Sequence, residues 1–492
     1  MSFLRSIMFV GTCSDAGKSI VNTAFCRIFK QDGYHPAPFK AQNMSLNSYS
    51  TPDGLEIGRA QAVQAEACGI APESDMNPVL LKPTNEQCSQ VVLNGKPVGN
   101  MSAKEYFMSN NKAELFNQAY AAYERLQARY SPIVLEGAGS ISEINLRERD
   151  ITNMRMALRT NAATYLVADI DRGGVFASVY GSIALLSREE RKLIKGIIIN
   201  KFRGDISLFD EGRKIIHDLT GIPVVGVIPY FKDIYIEEED SVSLETKNTK
   251  AGSGKINVAI VLLKRLSNFT DFSTLERDER FHAYYTNNVE EIGKADIIIL
   301  PGTKNTISDL RNIRENGIAE AVIRAHKEGK KVIGICGGYQ MMGARIEDPD
   351  QIEGDMTAIP GLGILPLVTI MEPEKVTCQD QFTFRDHSET CKGYEIHMGR
   401  TTLLDGASES PLNRLHDGRT DGYLLNDKCW GTYLHGILDN DIVLNELAEG
   451  LTQTTPTSFN YIDFKNQQYD KLADHVRAHV DLPYIYSTLK TK

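Results

Sequence analysis

This sequence has few cysteines and no long apolar run. Eight cysteines are scattered over 492 residues, at positions 13, 26, 68, 88, 336, 378, 391 and 429, and no two form a CxxC pair. This usage excludes a disulfide framework and a cysteine-based zinc site, so most of the thiols are expected to be buried. A run of about twenty apolar residues is missing, as is a cationic, apolar leader, so we expect a cytoplasmic protein without a membrane partner.

An excess of positive charge is missing too. The chain carries 54 Lys and Arg against 64 Asp and Glu, a formal net charge of -10. Proteins that bind nucleic acid usually show the opposite balance, so no nucleic-acid partner is expected. An anionic substrate would be repelled by this overall charge and would need a local group of basic side chains. The length indicates two or three domains, and the 42% of hydrophobic residues is ample to fill them.

Short apolar runs alternate with helical stretches in both halves of the chain, which predicts an α/β fold with parallel sheets. In the first half, strands are predicted at 6–10, 133–135, 164–168, 196–199 and 224–228, with a helix from about Lys18 to Lys30. In the second half, strands are predicted at 256–263, 295–300, 331–335 and 430–434, a helix at about 307–328, and antiparallel strands within 370–400.

The segment at 237–254, EEEDSVSLETKNTKAGSG, is polar and charged and ends in Gly and Ser, which is typical of a domain boundary. We therefore predict a first domain at 1–236, a linker at 237–255, a second domain at 256–453 and a C-terminal helical tail at 454–492, to which no chemistry is assigned.

A Gly-rich loop, GTCSDAGKS, follows the first predicted strand at residues 11–19 and opens a helix. Backbone N–H groups of such a loop can hold phosphates, with Thr12 and Gly17 among the residues of an ATP site. Lys18 would contact the β and γ phosphates, and Ser19 would bind magnesium. The loop has one residue more between its glycines than the common G-x4-GK-[ST] spacing. In this it resembles the dethiobiotin synthetase-like group of ATP enzymes.

Two further polar residues end strands at the same predicted sheet edge. Glu136 follows the strand at 133–135 and begins the turn EGAG, so its carboxylate is a candidate magnesium ligand beside Ser19. Asn200 ends the strand at 196–199 and is a candidate to contact adenine through its amide. The first domain is thus predicted to use ATP and magnesium.

A cysteine lies on a sharp strand-to-helix turn in the second half. Cys336 follows the strand at 331–335 and precedes Gly337, a context that exposes a thiol and favours its thiolate. His435, at the end of the segment GTYLHG, is the candidate base, so the two residues form a predicted catalytic dyad. The backbone N–H groups of Gly337 and Gly302 are candidate oxyanion donors.

The turn GICGG at 334–338 resembles the nucleophile turn of the class I glutamine amidotransferases, which implies a flavodoxin-like glutaminase domain. Most members of that family carry a Glu two residues after the histidine, where this chain has Ile437. The third member of a triad must therefore come from elsewhere, and Glu395 and Asp439 are the candidates.

The combination of both halves resembles the cobyrinic and cobyric acid amidotransferases of cobalamin biosynthesis over nearly the whole chain. The stretches that carry this resemblance are FKAQNMS at 39–45, NPVLLKP at 77–83, DIDRGGVF at 169–176 and GYEIHMGR at 393–400. It implies that glutamine and a corrinoid are substrates, and that the b, d, e and g carboxylates of adenosylcobyrinic acid a,c-diamide become amides of adenosylcobyric acid.

The polyanionic corrinoid calls for basic contacts near the ATP edge, for which Lys40, Lys82 and Arg172 are candidates. Three alternatives stay open on sequence alone. They are the sister a,c-diamide synthase, a ParA/MinD-like ATPase scaffold protein, and the cell-wall amidating enzyme, which normally divides these domains between two chains. Monomer and homo-oligomer are both open.

Overall fold

The computed structural model describes residues 3–84, 88–102, 112–237, 244, 247–354, 356–452 and 459–490. Within these ranges, two parallel sheets with helices on their faces form the centres of the two halves, which confirms the predicted α/β class. Residues 238–243, 245 and 246 of the predicted linker lie outside the described ranges, as do 453–458, 491 and 492 near and within the predicted tail. Across the described part of the chain, helices are too short or too polar to cross a membrane.

The first sheet is built from strands that are hydrophobic along their whole length and buried on both faces, as a parallel sheet requires. Every neighbouring pair is parallel, so the carboxyl ends of the strands meet at one edge. In spatial order the strands are Val224–Pro229, Ile194–Phe202, Ala163–Asp169, Ile7–Gly11, Ile133–Glu136 and Ala37–Phe39. The phosphate loop follows a strand in the middle of this sheet.

Helices cover both faces of this sheet. The helix that follows the phosphate loop begins after Gly17, whose φ of 88° lies in the left-handed region that favours glycine. In chain order the helices are Lys18–Gln31, Arg59–Cys68, Lys112–Gln127, Met154–Thr160, Val175–Ala184, Arg188–Leu193 and Asp210–Thr220. Short 3-10 turns span Ser74–Met76, Ile144–Arg149 and Ile206–Phe209.

Small strands between residues 42 and 102 connect the two halves. One set is Gln42–Met44, Val79–Pro83, Cys88–Leu93 and Lys96–Ser102, and a second pair is Ser48–Ser50 and Glu56–Gly58. The backbone N–H of Ser48 donates to Asn268 Oδ1 at 3.0 Å, and the N–H of Phe269 donates to Asn47 Oδ1 at 3.1 Å. The first half therefore contacts the second half at residues 268 and 269, which lie in the loop after the first strand of the second half.

The second sheet repeats the parallel pattern. Its order is Phe281–Thr286, Ile256–Val261, Ile297–Leu300, Lys331–Ile335, Cys429–Thr432 and Tyr423–Asn426, with the last strand antiparallel. Its helices are Val289–Lys294, Thr306–Glu315, Ile318–Lys327, Gly337–Met342 and Asp441–Ala448, with 3-10 turns at Phe269–Phe272 and Ile437–Asp439. The single helix predicted at 307–328 was wrong, because Gly317 adopts a φ of 80° and divides it in two.

The antiparallel strands predicted within 370–400 are confirmed as a long hairpin of Leu367–Phe384 and Thr390–Leu403. It belongs to a sheet completed by Arg345–Glu347, Ala358–Pro360, Asn413–Leu415, Thr420–Asp421 and Leu434–His435. This hairpin carries side chains toward the Cys336 turn, since the thiol of Cys336 lies 3.7 Å from the carbonyl oxygen of Ile396.

The C-terminal helices, Tyr461–Arg477 and Leu482–Leu489, pack mainly on the first half, although Phe464 also contacts Arg277 of the second. Leu472, Ile485 and Leu489 are fully buried in the same apolar cluster as Val21 and Phe25 of the helix after the phosphate loop. Arg27 of that helix donates to Asp470 Oδ1 at 2.7 Å. The end of the chain therefore completes the core of its beginning.

Candidate active sites

The phosphate loop holds its lysine in a ring of carbonyl oxygens. Lys18 Nζ donates to the carbonyls of Cys13, Ser14 and Gly139, each at 2.9 Å. Burial lowers the pKa of Lys18 to about 8, although the nearby Glu136 carboxylate partly opposes this shift. The Lys18 ammonium is thus held beside the loop, where the phosphate oxygens of a bound nucleotide could replace these carbonyls as hydrogen-bond acceptors.

Glu136 is the centre of a buried polar cluster at the same sheet edge. Its Oε1 accepts from Ser19 Oγ at 2.8 Å and pairs with Lys40 Nζ at 2.9 Å, and its Oε2 accepts from Gln64 Nε2 at 2.6 Å. Burial alone would raise the pKa of Glu136, but Lys40 and the hydrogen bonds outweigh burial and lower it. A hydroxyl and an ionised carboxylate in contact are oxygen donors that suit magnesium, so the residues present fit the predicted ion.

Asn200 stabilises the phosphate loop by a hydrogen bond. Its Nδ2 donates to the carbonyl of Ala16 at 2.9 Å, and a Cβ on Gly17 would lie 2.2 Å from that nitrogen. Thr12, in the same loop, is fixed by two hydrogen bonds. The N–H of Thr12 donates to the carbonyl of Val167, and the carbonyl of Thr12 accepts from Ser140 Oγ. The contact of Asn200 with adenine stays a prediction, while its contact with the loop is direct.

A cavity of about 340 Å³ opens beside the phosphate loop. Its walls include Gly139 and Ser140, and three arginines line it at 147, 149 and 155. Of the cations predicted to contact the substrate, Lys40 is bound to Glu136, and Arg172 is an exposed residue paired with Asp15. Neither Arg172 nor Lys82 lines this cavity. Arg147 and Arg155 were among the basic residues available to the sequence-based prediction but were not selected, because charge alone does not distinguish a cavity arginine from a solvated one.

Cys336 occupies a strained backbone position. Its φ and ψ are 51° and -110°, and the chain passes there from the strand Lys331–Ile335 into the helix Gly337–Met342. Such conformations cost free energy and concentrate at functional sites. Close packing fixes the turn, since a Cβ on Gly338 would lie 1.9 Å from the carbonyl oxygen of Leu300. The N–H of Cys336 donates to the carbonyl of Thr432 at 2.8 Å, which ties the nucleophile strand to the strand before His435.

His435 is oriented by Asp271, which the sequence-based prediction did not identify. Asp271 Oδ2 lies 2.7 Å from His435 Nδ1, and Asp271 Oδ1 accepts from the N–H of Gly436 at 3.0 Å. Burial would lower the pKa of His435, but Asp271 and Cys336 outweigh burial and raise it to about 10. The histidine is therefore coupled to both a carboxylate and the thiol, as in a nucleophile–base–acid triad.

The two acids predicted to orient His435 do not contact it. Glu395 Oε2 lies 2.9 Å from Nε2 of a different histidine, His397, and Asp439 accepts from the hydroxyl of Thr274. Burial raises the pKa of Asp439 to about 7. The signal for Asp271 was its place in the loop after the strand Ile256–Val261, because that strand ends at the same sheet edge as Cys336 and His435.

The two glycines predicted as oxyanion donors lie next to the dyad. Gly337 is the first residue of the helix after Cys336, and a Cβ there would lie 2.8 Å from Thr303 Cγ2. Gly302 packs against the imidazole, since a Cβ there would lie 3.0 Å from His435 Cε1. The absence of side chains at both positions lets Thr303 and His435 pack closely around the nucleophile turn. Their role as oxyanion donors stays a prediction.

A small pocket lies over Cys336 and is lined from both halves of the chain. Gln340 crosses its wall, donating through Nε2 to the carbonyl of Met398 at 2.9 Å. Charged residues from four segments also line it, namely Lys82, Lys304, Glu353 and Lys375. The structure thus places Lys82, predicted as a corrinoid contact, at the thiol pocket.

The comparisons with known proteins match both halves of the chain to described families. The family described as the "CobQ/CobB/MinD/ParA nucleotide binding domain" matches residues 7–244, and that described as the "CobB/CobQ-like glutamine amidotransferase domain" matches residues 257–443. Together they define a glutamine-dependent carbon–nitrogen ligase with an ATP-binding domain. The second match separates the chain from ParA/MinD-like scaffold proteins, which have no use for the Cys336 turn.

Similar proteins extend over the full length. A protein named cobyric acid synthase from Parabacteroides distasonis is 71% identical, covering 99% of each chain. Proteins of that name from Bacteroides fragilis and Phocaeicola vulgatus are 62% and 59% identical, each covering 99% of this chain and 98% of its relative. The chain belongs to the cobyric acid synthase family, whose reaction is a glutamine-dependent amidation in cobalamin synthesis.

Proposed function

We propose that this chain amidates the b, d, e and g side-chain carboxylates of adenosylcobyrinic acid a,c-diamide, giving adenosylcobyric acid. The observation that carries the proposal is the presence in one chain of a phosphate loop beside Glu136 and a Cys336–His435–Asp271 constellation. The first can activate a carboxylate and the second can release ammonia, and the full-length relatives bear the name of this synthase.

A carboxylate oxygen is a poor leaving group, so the first step transfers the γ-phosphoryl group of ATP to the substrate carboxylate. Lys18 would neutralise charge on the transferring phosphoryl group, and the loop N–H groups would hold the other phosphates. Ser19 and Glu136 would hold magnesium, which supplies further positive charge to the phosphates when bound. The products of this step are an acyl phosphate and ADP.

Glutamine would be cleaved at Cys336. His435 takes the thiol proton, and the thiolate attacks the side-chain amide carbon of glutamine. Asp271 holds His435 in the tautomer that receives this proton at Nε2 and stabilises the imidazolium that forms. His435 then returns the proton to the departing nitrogen, ammonia leaves, and water hydrolyses the thioester to glutamate. The ammonia attacks the acyl phosphate and displaces inorganic phosphate.

Ammonia loses its nucleophilicity once it is protonated in bulk water, so it should travel within the protein. Buried polar side chains occupy the region between the two sites, including Asn43, Asn47, Ser48 and Gln61. Asn47 and Ser48 contact the loop that carries Asp271, and Gln64 of the neighbouring helix reaches Glu136. We assign the shielded passage to this interface.

The corrinoid would place one acidic arm in the cavity beside the phosphate loop. Arg149 and Arg155 would contact the arm, because the third arginine, Arg147, is already paired with Glu190. Carboxylates at 143, 148 and 150 also line the cavity, so the two arginines would act on the arm locally rather than through a net positive charge. None of the three predicted contacts lines this cavity: Lys40 is paired with Glu136, and Lys82 and Arg172 lie elsewhere. Charge reversal at Arg155 should weaken corrinoid binding, and the same change at Arg172 should matter less.

Mass analysis of products tests the proposal. With corrinoid a,c-diamide, glutamine and ATP, the expected result is four successive conversions of carboxylate to amide. Cys336→Ala should lose amidation driven by glutamine and keep amidation driven by ammonium salt. Conversion of cobyrinic acid itself, with the a,c-diamide left unchanged, would instead indicate the sister a,c-diamide synthase. Loss of both activities in Cys336→Ala would contradict the two-site mechanism.

A further inference from the structure

The pocket over Cys336 contains an unusual concentration of lysines. Lys82, Lys304 and Lys375 line it together with a single carboxylate, Glu353. Lys82 comes from the first half of the chain and the other three from the second. Cationic side chains so close to one another repel, and placing them in a protein interior costs free energy unless anions are near. The arrangement therefore calls for compensating negative charge.

Glu56 compensates part of it. This fully buried residue accepts from Lys82 Nζ at 2.6 Å through Oε1 and from Lys375 Nζ through Oε2. Lys82 also donates to Ser48 Oγ at 2.9 Å. Burial would raise the pKa of Glu56, but the two lysines outweigh burial and depress it. One ionised carboxylate is thus shared by two ammonium groups, and it joins the first half to the long hairpin of the second.

Lys304 has no such partner. Within the described part of the chain, its ammonium makes no hydrogen bond or ion pair, although it lines the pocket with Cys336. Burial and the nearby Lys82 lower the pKa of Lys304, and the charges of Glu353 and Glu56 only partly oppose this shift. Its backbone is held firmly, because its N–H donates to the carbonyl of Arg265 at 3.0 Å. Lys304 is therefore a positioned cation that no acceptor among the described residues satisfies.

Glu353 provides the opposite charge on the same pocket. Its Oε2 accepts from the N–H of Ile307 at 3.0 Å, and its Oε1 accepts from Thr306 Oγ1 at 3.5 Å. Burial raises the pKa of Glu353 to about 7, so a cation arriving beside it would favour its ionised form. The pocket thus offers a nucleophile, unpaired ammonium charge and one carboxylate.

A free amino acid carries a carboxylate and an ammonium on one carbon, the counterpart of this charge pattern. We propose that Lys304, supported by Lys82 and Lys375, binds the α-carboxylate of glutamine, and that Glu353 binds its α-ammonium. The inference rests on the proposed glutaminase role of Cys336. Because Lys82 belongs to the ATP-binding half, the glutamine pocket is complete only when the two halves are in contact.

Two glutamine analogues, each lacking one of the α substituents, test the proposed Lys304 and Glu353 contacts separately. 4-Aminobutanamide is glutamine without its α-carboxylate, and 4-carbamoylbutanoate is glutamine without its α-amino group. Ammonia release should show that the unaltered enzyme prefers glutamine over each analogue by about 100-fold or more in kcat/KM. Lys304→Met should reduce kcat/KM for glutamine by a similar factor while leaving that for 4-aminobutanamide unchanged.

Glu353→Gln should reduce kcat/KM for glutamine by a similar factor while leaving kcat/KM for 4-carbamoylbutanoate unchanged. Lys304→Arg keeps the positive charge and should therefore retain much of the glutamine activity that Lys304→Met loses. Lys82→Met should raise KM for glutamine and leave corrinoid binding unchanged. Lys327→Met, a change at an exposed position, is the matched control and should behave as the unaltered enzyme. Amidation driven by ammonium salt should persist in every variant, which shows that each one folds.

Equal losses with glutamine and 4-aminobutanamide in Lys304→Met would overturn the inference, because a purely structural role predicts that result. An unaltered enzyme that does not discriminate against either analogue would also overturn it. Both of these outcomes leave the glutaminase role of Cys336 standing. If the unaltered enzyme released no ammonia from glutamine, the proposed function and the inference would fail together.

Discussion

Asp271 Oδ2 and His435 Nδ1 lie 2.7 Å apart although 164 residues separate them in the chain. Asn in place of Asp271 would present an amide to the imidazole and lose the charge that stabilises the imidazolium. We expect Asp271→Asn to lower glutamine-driven amidation by about 10³ to 10⁴-fold, as loss of a triad acid does elsewhere. Steady-state kinetics with glutamine and with ammonium salt measure this, and the ammonium reaction should be little changed.

The matched control for that change is Asp439→Asn. Asp439 is half-buried and close to the site, but it bonds to Thr274 rather than to His435. Because burial raises its pKa to about 7, a neutral amide replaces a group that is already partly protonated. Equal losses in the two variants would contradict the assignment of Asp271.

ATP binding should take up a proton at alkaline pH. Burial lowers the pKa of Lys18 to about 8, so near pH 9 the Lys18 side chain is neutral in most molecules of the free protein. Bound phosphates favour the ammonium form and raise its pKa again, which draws a proton from solution. Calorimetric titration with ATP in buffers of different ionisation enthalpy, near pH 9 and near pH 7, should show this uptake mainly at the higher pH. Equal proton exchange at both values would rule out Lys18 as the source.

Gly338→Ala should disrupt the nucleophile turn. The added Cβ would lie 1.9 Å from the carbonyl oxygen of Leu300, so strand and helix must separate. Overpacking of this kind costs about 1 to 3 kcal/mol, and the displaced thiol should lose glutaminase activity. Gly181→Ala is the control, since a Cβ there meets nothing within 4 Å. It lies within a helix and should stabilise the protein by about 0.5 to 1 kcal/mol. Denaturant unfolding measures both effects.

Leu472→Ala should weaken ATP binding without touching the phosphate loop. Leu472 is fully buried against the helix that follows the loop. Its truncation leaves a cavity that lowers the free energy of unfolding by about 2 to 5 kcal/mol. Ile462→Ala on the same helix removes an exposed side chain and should change little. Thermal unfolding with and without ATP compares the two variants. Normal stability in Leu472→Ala would show that the C-terminal helix does not support the first half.

Local sequence patterns were sufficient for the parts of the sites that lie within a single motif. The loop at 11–19, Glu136 and Cys336 each follow a hydrophobic strand directly, so their placement at a sheet edge depends on short-range spacing. The long hairpin was also predictable, because its strands are adjacent in sequence.

Contacts made by distant segments were not predictable in this way. Asp271 reaches His435 because the strands that precede them, Ile256–Val261 and Cys429–Thr432, belong to one parallel sheet, and nothing near His435 in sequence indicates that partner. Lys82 was expected beside the corrinoid, but the pairing of its strand, Val79–Pro83, with Gln42–Met44 carries it toward the glutaminase. Glu56, its acceptor, lies in another small strand and shows its importance only through burial.

The return of the C-terminal helices to the first half sets an order for synthesis of the protein. Ile485 and Leu489 belong to the core around Phe25, so the core of the ATP-binding half is incomplete until these two residues have left the ribosome. The glutaminase sheets are complete once His435 has emerged. Domains generally fold from the N-terminus onward during translation. In this chain the second domain can finish first, and it offers a folded surface on which the first domain closes.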